Sequence, residues 1–85
     1  MKRKKVLILG GTGMLGHVLF RYLARESDYD VVATTRTPSE LRKYFAPDLC
    51  SRFRQDSVDA TNFDSVIRAL ASVQPDFVIN CIGII

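Results

Sequence analysis

Seven residues, Gly10-Gly11-Thr12-Gly13-Met14-Leu15-Gly16, place four glycines between two apolar runs. Glycine weakens both strands and helices, so this gathering marks a backbone that must pass where side chains would obstruct it. Two spacings overlap, Gly11-x-Gly13-x-x-Gly16 and the looser Gly10-x-x-Gly13-x-x-Gly16. Between a strand and a helix this pattern suits a diphosphate. The first glycine permits a tight turn, the middle one clears an approach to the main chain, and the last lets helix and strand pack closely. A helix start adds unpaired N–H groups and a partial positive charge. Thr12 offers a hydroxyl, and Met14 and Leu15 offer backbone N–H groups. The alternative is a tight turn with no ligand. A nucleoside-triphosphate loop would end in Gly-Lys-Ser/Thr, which this stretch does not.

A second chemical signal lies about twenty residues further on, where a dinucleotide site that prefers NAD carries an acid for the ribose 2′-hydroxyl. The chain reads Thr34-Thr35-Arg36 there, with no acid before Glu40, and Asp30 falls at the wrong end of the strand. Arg36 is a planar cation suited to a 2′-phosphate, with hydroxyls nearby to help, so NADP is expected over NAD. A solvated surface arginine is the alternative.

These residues need a framework. Val6-Leu7-Ile8-Leu9 reads as a strand buried on both faces. Leu15, Val18, Leu19, Tyr22 and Leu23 recur at helical spacing up to about Ser27, and Val31–Thr35 is a β-branched second strand. Thr37-Pro38-Ser39-Glu40 has the form of a capping box opening a short helix that stops before Pro47. Ser51–Gln55 is a weak third strand. Asp59 or Thr61 opens a helix with Phe63, Val66, Ile67 and Leu70 on one stripe; Gln74-Pro75-Asp76 breaks it, and Phe77–Ile82 is a fourth strand. The class is α/β, a parallel sheet with helices on both faces, β-α-β-α-β-α-β, in the Rossmann order 3-2-1-4.

Composition excludes several classes. With 47% hydrophobic and 25% charged residues, the 85-residue chain is a single small globular unit. The net charge of +3 comes from Lys2, Arg3, Lys4 and Lys5, a solvated lead-in to the first strand, and not from the basic face a nucleic-acid binder presents. The glycines interrupt what would otherwise resemble a secretory signal, and no run approaches the ~18 apolar residues of a membrane span. Cys50 and Cys81 have neither metal nor redox spacing; they read as small buried hydrophobes in a cytoplasmic protein.

From Lys5 to Gly83 the chain resembles the extended short-chain dehydrogenase/reductase family, in the N-terminal part of its cofactor domain. "LILGGTGMLG" is similar to that family's TGxxGxxG loop, with Leu9 replacing the Thr, "RQDSVD" to the segment after its third strand, and "DFVINCIG" to its fourth strand. The resemblance implies that Asp56 reaches the adenine amino group, followed by Ser57 where the family has an aliphatic residue. It also implies that Cys81, Ile82 and Gly83 line the cofactor from the adenine ribose to the nicotinamide, while Asn80 supports the strand end. "QPDFVIN" and the glycine loop are most similar to the sugar-nucleotide reductases of the dTDP-4-dehydrorhamnose reductase group.

The family's Tyr-x-x-x-Lys pair is missing: Tyr22, Tyr29 and Tyr44 are followed four positions later by Glu26, Ala33 and Asp48. Tyr22 reads as core and His17 as an exposed residue of the first helical turn, with a contact to a phosphate as the alternative. A Rossmann sheet needs strands beyond the fourth, so residues 1–85 are expected to be the N-terminal part of one dinucleotide-binding domain. The catalytic and substrate parts would lie elsewhere, and the chain alone would be inactive. The implied whole is an NADP-dependent reductase that passes hydride to the keto group of a nucleotide-linked sugar. An epimerase or dehydratase with retained NAD(P), or a non-catalytic dinucleotide sensor, are the rivals. A homodimer of the whole protein is left open.

Overall fold

The computed structural model describes residues 3–26 and 28–82. Three parallel strands, β1 (Lys4–Leu9), β2 (Tyr29–Ala33) and β3 (Phe77–Asn80), lie in the order β2-β1-β3. Val6 pairs with Val31 on one side and Phe77 on the other. Lys4 and Lys5, expected as lead-in, belong to β1.

The two faces of β1 build two cores. Val6 and Ile8 point toward helix α1 (Met14–Ala24) and pack in a cluster with Phe20, Val31, Ala33, Leu41, Phe45 and Phe53. Leu7 and Leu9 point the other way, where Val73 and the half-buried Val66 and Leu70 of helix α3 (Phe63–Val73) cover them. Alternate residues of one strand thus face opposite layers, which explains the unbroken apolar run. The expected α/β architecture with helices on both faces holds.

The third strand does not form as a ladder. Of Ser51–Gln55 only Phe53 bridges to Ala33, in the parallel sense and on the outer side of β2. Phe53 alone turns inward, edge-on to Phe20 at 4.8 Å and tilted against Phe45 at 5.2 Å between ring centroids, while Arg52 and Arg54 flank it. One inward residue supports one bridge, so the order 3-2-1-4 survives with its third member shrunk to a point. β2 stops at Ala33 and β3 at Asn80, both short of expectation, because the residues beyond them turn to meet the glycine loop.

Both main helices are turned partly away from their apolar stripes, of which Leu19, Leu23, Val66 and Leu70 still pack on the two cores. In α1 the buried residues are Gly16 and Phe20, whereas Leu15, Val18 and Tyr22 are exposed, Tyr22 at 61%. A Cβ on Gly16 would lie 2.0 Å from the Gly10 carbonyl oxygen, so only this face can dock on the strand exit. Phe20 and Leu23, one and two turns on, follow it inward. In α3 small residues face in, Ser65 and Ala69 before Val73, and Phe63 is 71% exposed. That helix starts at Phe63, with Asn62 as its cap accepting the Ser65 N–H.

Between β2 and α3 the expected capping box is absent. Pro38–Lys43 is a 3-10 helix without a side-chain cap from Thr37, whose N–H instead donates to Thr35 Oγ1 at 3.2 Å. Pro47 opens the four-residue helix α2 (Pro47–Cys50) instead of merely ending the preceding helix. No helix of the described residues is long and apolar enough to cross a membrane.

Candidate dinucleotide site

β1 is central and both its neighbours follow it in the chain, β2 on one side and β3 on the other, so the winding reverses at β1 and the crevice of such a sheet belongs at the carboxyl ends of the strands flanking that reversal. Ligands bind there in open α/β sheets. The glycine loop fills that position. Gly10 leaves β1 with a φ of +83°, a conformation suited to glycine. Its N–H donates to Thr34 Oγ1 at 3.3 Å, and the Gly11 N–H donates to the Thr34 carbonyl at 2.8 Å. Gly13 then caps α1 in extended geometry.

The four glycines answer to different neighbours. A Cβ on Gly10 would lie 2.9 Å from Ile82 Cγ1, on Gly11 2.8 Å from Ala33 Cβ, and on Gly16 2.0 Å from the Gly10 oxygen. A Cβ on Gly13 would meet nothing closer than the Gly10 and Cys81 carbonyl oxygens, at 3.6 and 3.7 Å, ordinary contact distances. Its φ of −72° suits any residue. Three glycines are therefore required by the protein's own packing, and Gly13 is not.

Donors surround Gly13. Among the described residues, the first-turn N–H groups of Met14, Leu15 and Gly16 have no backbone acceptor, and no acid stands in that turn to neutralise them. Thr12 and Gly13 are exposed, and Met14 and Leu15 turn their side chains outward at 89% and 67% exposure. The site therefore offers an anion main-chain hydrogen, with one side-chain hydroxyl beside it. His17 does not join in through Nδ1: that nitrogen donates to the Gly13 carbonyl at 2.9 Å, the carbonyl being able only to accept. A cleft of about 450 Å³ opens alongside, lined by Thr12, Met14, His17, Arg21, Tyr44 and Phe45. Arg21 is held there by the Tyr44 carbonyl at 2.8 Å and lies 4.7 Å over the Phe45 ring.

At the end of β2 the structure brings Arg36 out to solvent, in neither of the two ion pairs among the described residues. Its carbonyl accepts the Ser57 hydroxyl at 2.7 Å, which gives Ser57 a structural tie to this loop. The neighbouring threonines do not help Arg36 as expected. Thr34 and Thr35 are buried, at 0% and 2% exposure. The hydroxyl of Thr34 bonds Gly10, and that of Thr35 bonds Thr12 and Thr37. Burial turns them toward the glycine loop, a role that sequence alone did not reveal. The β-branched run that ends in two hydroxyl-bearing residues was the available signal.

Asp56 lies at the same end but its carboxylate sits in the guanidinium fork of Arg54, with Nε and Nη2 each at 3.0 Å. That pairing holds its pKa below the ordinary carboxylate value. Arg54 also reaches Ser72 of α3. An adenine amino group at Asp56 would share the carboxylate with Arg54. Asp59 is likewise lowered, by the Thr61 N–H and hydroxyl at 2.9 and 2.8 Å, with a smaller contribution from the charge of Arg36.

Cys81 and Ile82 reach the loop. The Cys81 N–H donates to the Leu9 carbonyl at 2.8 Å, and Asn80 Oδ1 accepts the Ile82 N–H at 3.0 Å, holding the strand end. Desolvation raises the Cys81 pKa, so its thiol stays protonated near neutral pH. Gly83 lies outside the described residues. No group of three or more His, Cys, Asp or Glu among the described residues could hold a metal ion.

A parallel α/β sheet whose central strand exits through a glycine loop into a donor-rich helix start defines a dinucleotide-binding domain. The family model of the saccharopine dehydrogenase NADP binding domain matches residues 6–85, and the chain belongs to that family. Its cofactor is NADP, as the Thr34-Thr35-Arg36 reading anticipates. The likeness to extended short-chain dehydrogenases/reductases holds for the NADP-binding fold, while the family matched is a different one. No curated protein and no solved structure matches the chain.

Proposed function

We propose that this chain is the cofactor-binding part of an NADP-dependent oxidoreductase and holds the dinucleotide across the carboxyl ends of β1 and β3. The single observation that carries the reading is Gly13, a glycine with no neighbour to avoid, set among unpaired main-chain donors. A diphosphate approaching the backbone supplies the missing reason for it. Thr12 and the N–H groups of Met14 and Leu15 would bind its oxygens. Arg36 would grip the 2′-phosphate, and Cys81 with Ile82 would lie under the ribose. The bound cofactor supplies hydride chemistry. The chain's own residues orient it and keep side chains out of its path.

The saccharopine dehydrogenase relationship supports a substrate oxidised or reduced at carbon. The keto group of a nucleotide-linked sugar rests on the Gln74–Asn80 phrase and the glycine loop. Within that phrase Asp76 and Gln74 border a hollow at the far end of the sheet from the glycine loop.

Titration of the protein with NADPH and NADH tests the reading. NADPH should bind more tightly, and Arg36→Ala should weaken NADPH by about tenfold to a hundredfold, in line with one charge-assisted contact, while leaving NADH unchanged. Equal affinities for the two dinucleotides would overturn the 2′-phosphate assignment.

A further inference from the structure

The Thr12 side chain is exposed, yet its Oγ1 lies 3.2 Å from Oγ1 of Thr35, a residue only 2% exposed. Either hydroxyl could donate in that pair. The surroundings decide between them. Thr35 Oγ1 already accepts the Thr37 N–H at 3.2 Å, and a buried hydroxyl hydrogen must find an acceptor inside the protein. The one that the described residues offer is Thr12 Oγ1. Thr12, open to solvent, has no such constraint. The hydrogen bonds therefore run in one direction, from the Thr37 N–H to Thr35 and from the Thr35 O–H to Thr12. The Thr12 hydrogen is left facing outward over the glycine loop.

We infer that Thr35 is a positioning residue, whose buried hydroxyl turns Thr12 into a committed donor to a phosphate oxygen of the cofactor. This rests on the proposed placement of the dinucleotide at the loop. A hydroxyl that already accepts a hydrogen bond is a stronger donor, so each link in the chain strengthens the next. The chain also joins the two parts that must hold one ligand together, because Arg36 sits between Thr35 and Thr37. The loop for the diphosphate and the turn carrying the 2′-phosphate ligand are thereby fixed to each other through one side-chain oxygen.

The test is calorimetric titration of wild type, Thr12→Val, Thr35→Val, Thr35→Ser and the Thr12→Val/Thr35→Val double variant with NADPH and with NADH. Thr12→Val and Thr35→Val should each lower NADPH affinity about tenfold, as loss of one hydrogen bond to a charged group does. The double variant should bind no worse than Thr12→Val alone, because Thr35 acts only through the Thr12 hydroxyl. Thr35→Ser, which keeps the hydroxyl, should bind like wild type. A loss confined to NADPH would place Thr12 on the 2′-phosphate, and an equal loss for both dinucleotides on the diphosphate; either supports the inference. Wild-type affinity in Thr35→Val, or losses that add in the double variant, would overturn it. If Thr35→Val does not fold, the exposed Thr12→Val decides, and wild-type affinity there overturns the inference equally. A wild-type protein that binds neither dinucleotide would overturn the proposed cofactor site and this inference with it.

Discussion

The two ends of the sheet are built from the same strands and differ in how they treat backbone polar groups. At the amino end, Asp76 Oδ2 accepts the Lys5 N–H at 2.7 Å and the Asp76 N–H returns to the Lys5 carbonyl at 2.8 Å. A hollow of about 370 Å³ there is lined by Arg3, Lys5, Asp30, Gln74 and Asp76, side chains of both charge signs. At the carboxyl end no carboxylate reaches the α1 start, and three N–H groups stay free of backbone partners among the described residues. Similar hollows therefore mean different things. One closes on itself, and the other presents uncompensated donors.

Gly16→Ala should give the largest effect, because its Cβ would fall 2.0 Å from the Gly10 oxygen, a backbone atom that cannot swing aside. A loss of about 3 kcal/mol or more is expected in denaturant unfolding. Survival with wild-type stability would break the picture of a loop clamped onto its helix. Gly13→Asp comes next and acts with opposite signs. Aspartate is a good helix cap, so the thermal midpoint should hold or rise. NADPH affinity should fall at least about a hundredfold, near 2.7 kcal/mol, from a carboxylate placed against the diphosphate.

Asp76→Ala sharpens the contrast from the other end. It should cost about 1 kcal/mol of stability through the Lys5 bond and leave NADPH affinity untouched by titration. An altered affinity would mean that the two ends are not independent. The smallest effect belongs to Asp56. Its pKa is depressed in the folded protein, so its pairing stabilises above the ordinary carboxylate value and is lost as pH falls through the depressed one. The half-exposed pair contributes only a few tenths of a kcal/mol, visible as a reduced acid-side slope of stability in Arg54→Met.

The sequence made the architecture legible because Val6–Leu9 and the glycine spacing are strong local signals. Helix rotation was not legible. It depends on where Gly16 meets Gly10, a contact between residues six apart whose geometry follows only once the strand exit is folded. Large apolar residues at 15, 18 and 22 pointed the wrong way, and Ser65 and Ala69, which do face the sheet, carry little hydrophobic signal. The third strand failed for a related reason, since Phe53 is one inward residue and a ladder needs several. At the site, the glycines and Arg36 were readable by type and spacing. The partners of Thr34, Thr35 and Ser57 were not, because hydrogen bonds across 20 residues or more leave no periodic trace.

The clocking of α1 by a glycine has one more result. With its smallest residue pressed to the sheet, the helix shows Leu15, Val18 and Tyr22 to water, three greasy side chains aligned along one flank. Such a flank makes the chain sticky in concentrated solution, and salting-out anions would drive copies together through it before the fold itself gave way.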